Sequence, residues 1–350
     1  MSESTPSSRK RRGSGRATIH DVARLAGVGS ITVSRYLKHS TRVSDELGAR
    51  IAQAVRELDY VPNLVAGGLA SARGRIVGMV VPNISGPIFA STIQAFNDTL
   101  NGHGFQVLLA SSYFSKEQEE NAVRAFLGWS PAALAVTGRF HTKGTEALLA
   151  GSGIPVVETW DYAPRRKTIQ VGYSNREVGA QAARHLVGKG YRRIAFVQNG
   201  VAGDLSALDR RDGCAAVLRE HGLEPWHFVP AAAAPFDAGR EALEALVPAG
   251  RGKRRADAIV FANDNLAAGA LLASQRMGLD VPGQCALMGF GDYPFSPLLL
   301  PSLTTIRPPG REIGELAARR ILEALGEIET EDASPRLNLL GCELVERESA

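Results

Sequence analysis

The sequence predicts a small all-α head followed by a larger α/β part built as two similar lobes. Within residues 17–60, apolar side chains recur at helical spacing in three short stretches. From residue 75 to the end, short apolar runs alternate with amphipathic helices, and this alternation occurs in two successive sets. Nearly continuous apolar strands separated by helices are typical of parallel sheets that are covered on both faces.

Length and composition fit a globular protein with more than one domain. The chain has 350 residues, of which 44% are hydrophobic and 22% are charged, and both fractions are ordinary for globular proteins. No apolar run reaches the roughly 18 residues that a membrane span needs. The polar N-terminal stretch 1–17 has no apolar core of the kind found in secretory signals. We therefore expect a cytoplasmic protein that makes no membrane contact.

Neither the cysteines nor any catalytic motif indicates an enzyme. Cys214, Cys285 and Cys342 are far apart and form no paired motif, so we expect no disulfide and no metal site. The sequence has no phosphate-binding loop of the Walker type, no GxSxG elbow and no HExxH helix. The prediction is a protein without catalytic residues or a cofactor.

Charge is divided unevenly between the head and the rest of the chain. Residues 1–75 contain 13 Lys and Arg against 6 Asp and Glu, whereas residues 76–350 contain 27 against 30. A basic head on a mildly acidic body is expected when only the head meets a polyanion. Residues 1–16 are polar without periodicity, which predicts a disordered basic tail.

The head, residues 17–60, has the helix signals of a helix-turn-helix. Thr18 and Asp21 have the spacing of a capping box, and Gly27 suits the end of the first helix. A second helix is expected to start at Gly29 or Ser30, and a third at Ser44. Two short helices joined by a tight glycine turn place the second one in the major groove of DNA.

Several side chains of the second helix suit contacts with DNA. An arginine can bond a guanine through two hydrogen bonds, and an isoleucine can contact a thymine methyl group. Hydroxyl groups are better suited to phosphate oxygens, which position the head without reading sequence. We expect base contacts from Ser30, Ile31 and Arg35, and backbone contacts from Thr18, Thr32 and Ser34.

The head closely resembles the LacI/GalR family of repressors. The resemblance rests on residues 18–28, TIHDVARLAGV, followed by residues 32–37, TVSRYL. It implies a sequence-specific DNA-binding transcriptional regulator that acts as a repressor. The chain departs from the family pattern at Gly29, where the family usually has a serine that caps the second helix. Since glycine is only slightly weaker there, we expect softer docking and retained function.

Residues 61–74 form either a flexible linker or a hinge helix. In the family, this segment folds on DNA, with Asn63 at the backbone and Leu69 wedged into the minor groove between base steps. Gly67 and Gly68 each weaken a helix by about 1 kcal/mol relative to alanine. A weak helix suits a segment that folds only in the bound state.

Residues 75–350 resemble the periplasmic-binding-protein-like core of the same family, which implies effector binding and dimerisation. Open α/β sheets bind ligands at the carboxyl ends of their strands, so side chains that follow the apolar runs are the candidates. Ile88 and Phe89 could also be core residues, and Arg139 could equally lie at the surface. Where many relatives have two successive acids, Gly291 leaves only Asp292. The resemblance also implies roles for Arg210, which matches the family's ligand-contacting arginine, and for Asn263, which matches its sensing asparagine. The expected effector-binding residues are Ile88, Phe89, Arg139, Glu158, Arg210, Asn263 and Asp292.

Three further stretches resemble the gluconate-operon repressor group: residues 128–130, 154–158 and 171–175. The resemblance implies a sugar or sugar-acid effector, whose carboxylate would need a cation such as Arg210 or Arg139. It also implies a homodimer, or a tetramer, on a pseudo-palindromic operator. Two alternatives remain open at this point: a solute-binding protein of a sugar transporter, and an enzyme with an accessory DNA-binding head.

Overall fold

A computed structural model describes most of the chain as two units, Met1–Gly74 and Arg75–Ala350. The predicted tail 1–16 and the predicted hinge residues Asn63 and Leu69 lie outside the described residues. The described segments are 17–38, 43–61, 74–163, 168–199, 204–248, 255–330 and 337–350.

The described residues of the first unit form three helices, as the sequence predicts: α1 (Ile19–Ala26), α2 (Ser30–Lys38) and α3 (Asp45–Glu57). The Thr18 hydroxyl accepts from the Asp21 N–H, and the Asp21 carboxylate accepts from the Thr18 N–H at 3.0 Å, which forms the predicted capping box. Gly27 ends α1 with φ 66°, a left-handed conformation that glycine adopts without steric cost. A small apolar core joins the helices: Val22, Ala23, Ala26, Val33, Ile51 and Ala54.

The second unit has the predicted two-lobed α/β architecture. The first lobe, called the N-lobe, is built on a six-stranded sheet with the order β11-β5-β4-β3-β1-β2. Its elements from the first pass of the chain are β1 (Ile76–Val81), α4 (Pro87–Gly102), β2 (Gln106–Ser111), α5 (Lys116–Gly128), β3 (Ala133–Thr137), α6 (Lys143–Gly151), β4 (Val156–Thr159) and β5 (Ile169–Gly172).

The second lobe, called the C-lobe, is built on a six-stranded sheet with the order β12-β10-β9-β8-β6-β7. Each of these strands pairs in parallel except β12, which runs antiparallel to β10. The chain forms most of this lobe in one pass: α7 (Asn175–Gly188), β6 (Ile194–Val197), α8 (Leu205–Glu220), β7 (Trp226–Phe228), α9 (Pro235–Leu246), β8 (Ala258–Phe261), α10 (Asp264–Met277), β9 (Ala286–Phe290) and β10 (Thr304–Arg307).

The last part of the chain contributes to both lobes. Helix α11 (Gly310–Leu325) packs on α4 of the N-lobe, and β11 (Leu337–Leu339) pairs in parallel with β5. The final strand, β12 (Glu343–Val345), returns to the C-lobe sheet. The lobes are therefore joined by three crossings of the chain, and the carboxyl ends of both sets of parallel strands border the space between them.

Candidate functional site

The exposed face of α2 holds the residues that the sequence predicts for base contacts. Val33 is fully buried in the head core, whereas Ile31 is 70% exposed and Arg35 is exposed. Ser30, Thr32 and Ser34 are half-buried on the same helix. An exposed isoleucine beside an exposed arginine is a surface suited to the edges of base pairs.

The hydroxyl of Thr18 serves the structure of α1. It donates to Asp21 Oδ2 at 2.7 Å and closes the capping box described above. These hydrogen bonds lower the pKa of Asp21, which keeps its carboxylate charged at the positive end of the helix. Thr18 is itself exposed and lies at the N-terminus of α1, where an anion such as phosphate is favoured.

A cavity of about 150 Å³ lies between the lobes of the second unit. Its walls are formed mainly by residues at or just beyond the carboxyl ends of strands, as expected for an open α/β sheet. The N-lobe provides Pro82, Ser112, Gly138, Trp160 and Tyr173, and the C-lobe provides Asn199, Ala262, Asn263 and Phe290.

A row of aromatic rings crosses the cavity from one lobe to the other. The centroids of Phe89 and Trp160 are 4.7 Å apart, those of Trp160 and Tyr173 are 6.0 Å apart, and those of Tyr173 and Phe290 are 6.2 Å apart. Trp160 adopts φ 69°, a strained conformation for a residue with a side chain, and its buried indole N–H has no hydrogen-bond partner among the described residues. These rings offer apolar faces, and the Trp160 indole adds an unused N–H donor.

Arg210, on α8, is a buried cation in the C-lobe wall. It is 6% exposed, and its Nη1 and Nη2 groups donate to Asn175 Oδ1 at 2.6 Å and to the Ala262 carbonyl at 3.2 Å. The guanidinium carbon lies 4.3 Å from the centroid of the Phe290 ring. Its Nε is buried without a hydrogen-bond partner, and no carboxylate of the described segments forms an ion pair with it. A buried cation without a counter-anion is costly, so this wall favours an anionic ligand.

Other polar groups line the cavity around Arg210. Asn263 caps α10 through its Oδ1, which accepts from Leu266 N–H at 3.2 Å. Asn199 Nδ2 donates to Asp204 Oδ2 at 2.8 Å, which leaves Asn199 Oδ1 buried and unused by the described residues. Burial raises the pKa of the Tyr173 hydroxyl, so this group is a neutral donor at the cavity.

The structure brings four of the predicted effector-binding residues together in the cavity wall and leaves three outside it. Ile88, Phe89, Arg210 and Asn263 line the cavity, whereas Arg139, Glu158 and Asp292 do not.

Each of the three residues outside the wall has protein partners. Arg139 bonds Asp161 at 2.6 Å and Asp209 at 2.7 Å. Because Asp209 belongs to α8, this second ion pair joins the N-lobe to the C-lobe. Asp292 accepts from Arg307 and Arg347, and Glu158 is 2% exposed and lies behind the wall.

Sequence reasoning missed several residues of the wall. Trp160, Tyr173 and Asn199 closely follow β4, β5 and β6, so the rule about strand ends could have identified them. Lys116 and Glu119 also line the cavity, but they lie on α5, where the sequence shows only an ordinary polar helix face.

The remaining chemistry of the described residues is limited. They contain no cluster of three or more His, Cys, Asp or Glu that could hold a metal ion. Burial raises the pKa of the Cys214 and Cys285 thiols to about 12. None of the helices in these same segments is both long enough and apolar enough to span a bilayer.

Comparisons with known proteins match both units. Residues 18–63 match the family model "Bacterial regulatory proteins, lacI family", and residues 183–350 match "Periplasmic binding protein-like domain". The HTH-type transcriptional regulator GntR of Pseudomonas aeruginosa is 34% identical over 356 residues, which cover 99% of each chain. The GntR regulator of Escherichia coli K12 is 30% identical over 93% of this chain and 96% of its own.

A solved structure shows the same architecture. The crystal structure of a LacI-family transcriptional regulator from Silicibacter pomeroyi superposes with a TM-score of 0.86 at 31% identity. The match covers 95% of this chain and 99% of that one. The likeness therefore extends over both the helical head and the two-lobed part.

Proposed function

The chain belongs to the LacI family of DNA-binding transcriptional regulators, and we propose that it is a repressor whose operator binding is relieved by a sugar acid such as gluconate. The observation that carries the ligand class is Arg210, a buried guanidinium that has no counter-anion among the described residues. A carboxylate is the anion whose two oxygens match the planar donor edge of a guanidinium.

The rest of the cavity suits the remainder of a sugar acid. Asn263 and Asn199 offer amide groups for hydroxyls on the side of Arg210. Ile88 and Phe89 form an apolar wall against the carbon chain. A ligand pocket with mostly apolar walls and a few polar groups is the usual arrangement for small molecules.

The mechanism follows from the position of the ligand between two lobes. A ligand that contacts both lobes favours one lobe–lobe angle, and it shifts the equilibrium only by its difference in affinity for the two states. The Arg139–Asp209 ion pair crosses between the lobes and would respond to the same motion. In a cytoplasmic homodimer on a pseudo-palindromic operator, the angle would be passed to the DNA through Asn63 and the minor-groove wedge Leu69.

A ligand screen tests the proposed effector. We expect gluconate to raise the unfolding temperature of the full chain, because a ligand at 100 times its Kd adds about 2.7 kcal/mol to stability. We also expect gluconate to release operator DNA in a gel shift. Glucose and adenine serve as neutral controls, and recovery of unchanged gluconate would show that it is sensed and not turned over. Stabilisation by a neutral sugar or a nucleobase alone would contradict a sugar-acid effector.

The DNA-reading face is tested by Arg35→Ala. We expect the variant to lose discrimination between operator and random DNA by about 1–3 kcal/mol, the contribution of one bidentate arginine–guanine contact. The measurement is a competition gel shift on an operator selected from a randomised DNA pool. Arg56→Ala, an exposed arginine on α3, removes the same charge from the head and should leave discrimination unchanged. Equal discrimination by the Arg35 variant and the wild type would remove Arg35 from the base contacts.

A further inference from the structure

A chain of three buried ionisable side chains leads from the cavity into the N-lobe. Glu119 of α5 lines the cavity, and its Oε1 lies 2.6 Å from His141 Nδ1. The other ring nitrogen of His141, Nε2, lies 3.6 Å from Glu158 Oε1 on β4. Gln170 of β5 donates to Glu158 Oε2 at 2.9 Å. Helix α5, the loop between β3 and α6, and strands β4 and β5 thus place Glu119, His141, Glu158 and Gln170 in this order.

The imidazole of His141 is held as a cation between the two carboxylates. Its side chain is 1% exposed, and burial alone would lower its pKa. Glu119 and Glu158 outweigh that effect and raise the pKa of His141 to about 9. At neutral pH both ring nitrogens therefore carry protons, so His141 can donate to Glu119 on one side and attract Glu158 on the other.

One carboxylate oxygen of Glu119 is left for a ligand. His141 occupies Oε1, and Oε2 has no hydrogen-bond partner among the described residues. The Glu119 side chain is 9% exposed and lines the cavity. Such an oxygen accepts hydrogen bonds and donates none, which suits a hydroxyl group.

The N-lobe and C-lobe walls of the cavity differ in their charged groups. On the N-lobe side, Lys116 and Glu119 line the cavity with opposite charges, and His141 and Glu158 form a second such pair behind them. In the C-lobe wall, where Asp204 also lines the cavity, Arg210 keeps an unused Nε–H and forms no ion pair with a carboxylate of the described residues. Arg210 therefore favours an anionic group of the ligand, and Glu119 favours an uncharged hydroxyl.

Building on the sugar-acid function proposed above, we propose that Glu119 is a specificity-determining residue that accepts hydrogen bonds from effector hydroxyls on the N-lobe side of the cavity, while Arg210 binds the carboxylate from the C-lobe side. His141 and Glu158 are positioning residues that hold the Glu119 carboxylate toward the cavity. A second carboxylate in place of such a hydroxyl has no proton to donate to Glu119 and carries the same charge, so it is disfavoured at that position. The site therefore selects an aldonic acid, with one carboxylate, over the matching aldaric acid, with two.

The test compares the affinities of gluconate and glucarate for the full-length protein by calorimetry. We expect the wild type to prefer gluconate by about tenfold or more, because like charges in a water-poor site repel strongly. Glu119→Gln should bind gluconate about five- to tenfold more weakly, since a neutral acceptor forms a weaker hydrogen bond. The preference of Glu119→Gln for gluconate over glucarate should fall to about threefold or less. Glu117→Gln, an exposed neighbour on α5, makes the same charge change outside the wall and should behave as wild type.

Substitution of His141 separates positioning from folding. His141→Asn keeps an N–H donor near the position of Nδ1 and should keep most of the gluconate preference, whereas His141→Ala should lose it. Gluconate binding with an unchanged preference in Glu119→Gln would overturn this inference and leave the sugar-acid function intact. If neither gluconate nor glucarate binds the wild type, both this inference and the proposed sugar-acid function are overturned.

Discussion

Arg210→Gln is expected to abolish the response to gluconate while operator binding is retained. The substitution removes a buried charge that a ligand carboxylate would neutralise, and losing one partner of such a pair costs about 2–5 kcal/mol, or at least roughly 30-fold in affinity. The repressor would then stay on its operator at gluconate concentrations that release the wild type. Calorimetry measures the affinity, and a gel shift with increasing gluconate measures the release.

Arg211→Gln is the matched control for this loss. Arg211 is the next residue of α8, but its guanidinium bonds Asp212 and does not line the cavity. The control should keep both the affinity for gluconate and the release of DNA. A folded Arg210→Gln protein that still released its operator at wild-type gluconate concentrations would show that the carboxylate binds elsewhere.

The stability of the unliganded protein gives an independent check on Arg210. Burying a cation without a counter-anion is unfavourable, so its removal need not destabilise the fold even though two hydrogen bonds are lost. We therefore expect the ligand response to fall far more than the unfolding temperature does. An effect on affinity of this kind cannot be explained by a general loss of structure.

Local signals in the sequence were sufficient to predict most of the fold. Thr18, Asp21 and Gly27 define both ends of α1 through contacts within a few residues. The buried strands β1 and β8 are continuous apolar runs that need no knowledge of the rest of the chain. Because these patterns are local, the helical head and the alternation of strands and helices could be predicted.

The strands that the sequence does not predict are short or depend on distant partners. Strands β5, β7, β11 and β12 have three or four residues each, too few to show a clear period. The last two are close in sequence but belong to different sheets. Nothing in their composition indicates which lobe each one joins, since this depends on the packing of α11 on the N-lobe.

Among the predicted residues that follow a strand, only those that also face the cavity belong to the candidate site. Arg210 lies within α8 and was predicted from the family resemblance instead. Asn263 meets both conditions because it caps α10 directly beyond β8. Arg139 and Glu158 also lie at strand ends, but partners far along the chain occupy them, namely Asp209 for Arg139 and Gln170 for Glu158. The choice of partner depends on the tertiary structure, so strand-end position alone cannot distinguish a ligand contact from an internal ion pair.

The second large effect is expected from Gly179→Ala in α7. Helices α7 and α8 meet so closely that a Cβ at Gly179 would lie 1.7 Å from the carbonyl oxygen of Arg210. Gly213 of α8 makes the reciprocal approach, since a Cβ there would lie 1.8 Å from the carbonyl oxygen of Arg176. Neither contact can be relieved by turning a side chain, so the helices must separate. We expect a loss of about 1–3 kcal/mol or more in the free energy of unfolding, measured by urea denaturation.

Gly188→Ala, in the last turn of the same helix, is the matched control. A Cβ at Gly188 meets no atom within 4 Å, so alanine there should leave stability unchanged or raise it by up to about 1 kcal/mol through helix propensity. Equal stabilities for the two alanine variants would contradict the close packing of α7 and α8.

The same crossing links packing to ligand binding. Asn175, four residues before Gly179 on α7, accepts from the Arg210 guanidinium, while Gly179 contacts the main chain of Arg210. Separation of the helices would therefore displace both the backbone and the hydrogen-bond partner of the proposed carboxylate-binding residue. Gly179→Ala should lower the affinity for gluconate even at temperatures where the variant is fully folded, whereas Gly188→Ala should not. Because no Gly179 atom is placed in the cavity wall, such a loss would show that the close approach of these two helices positions Arg210.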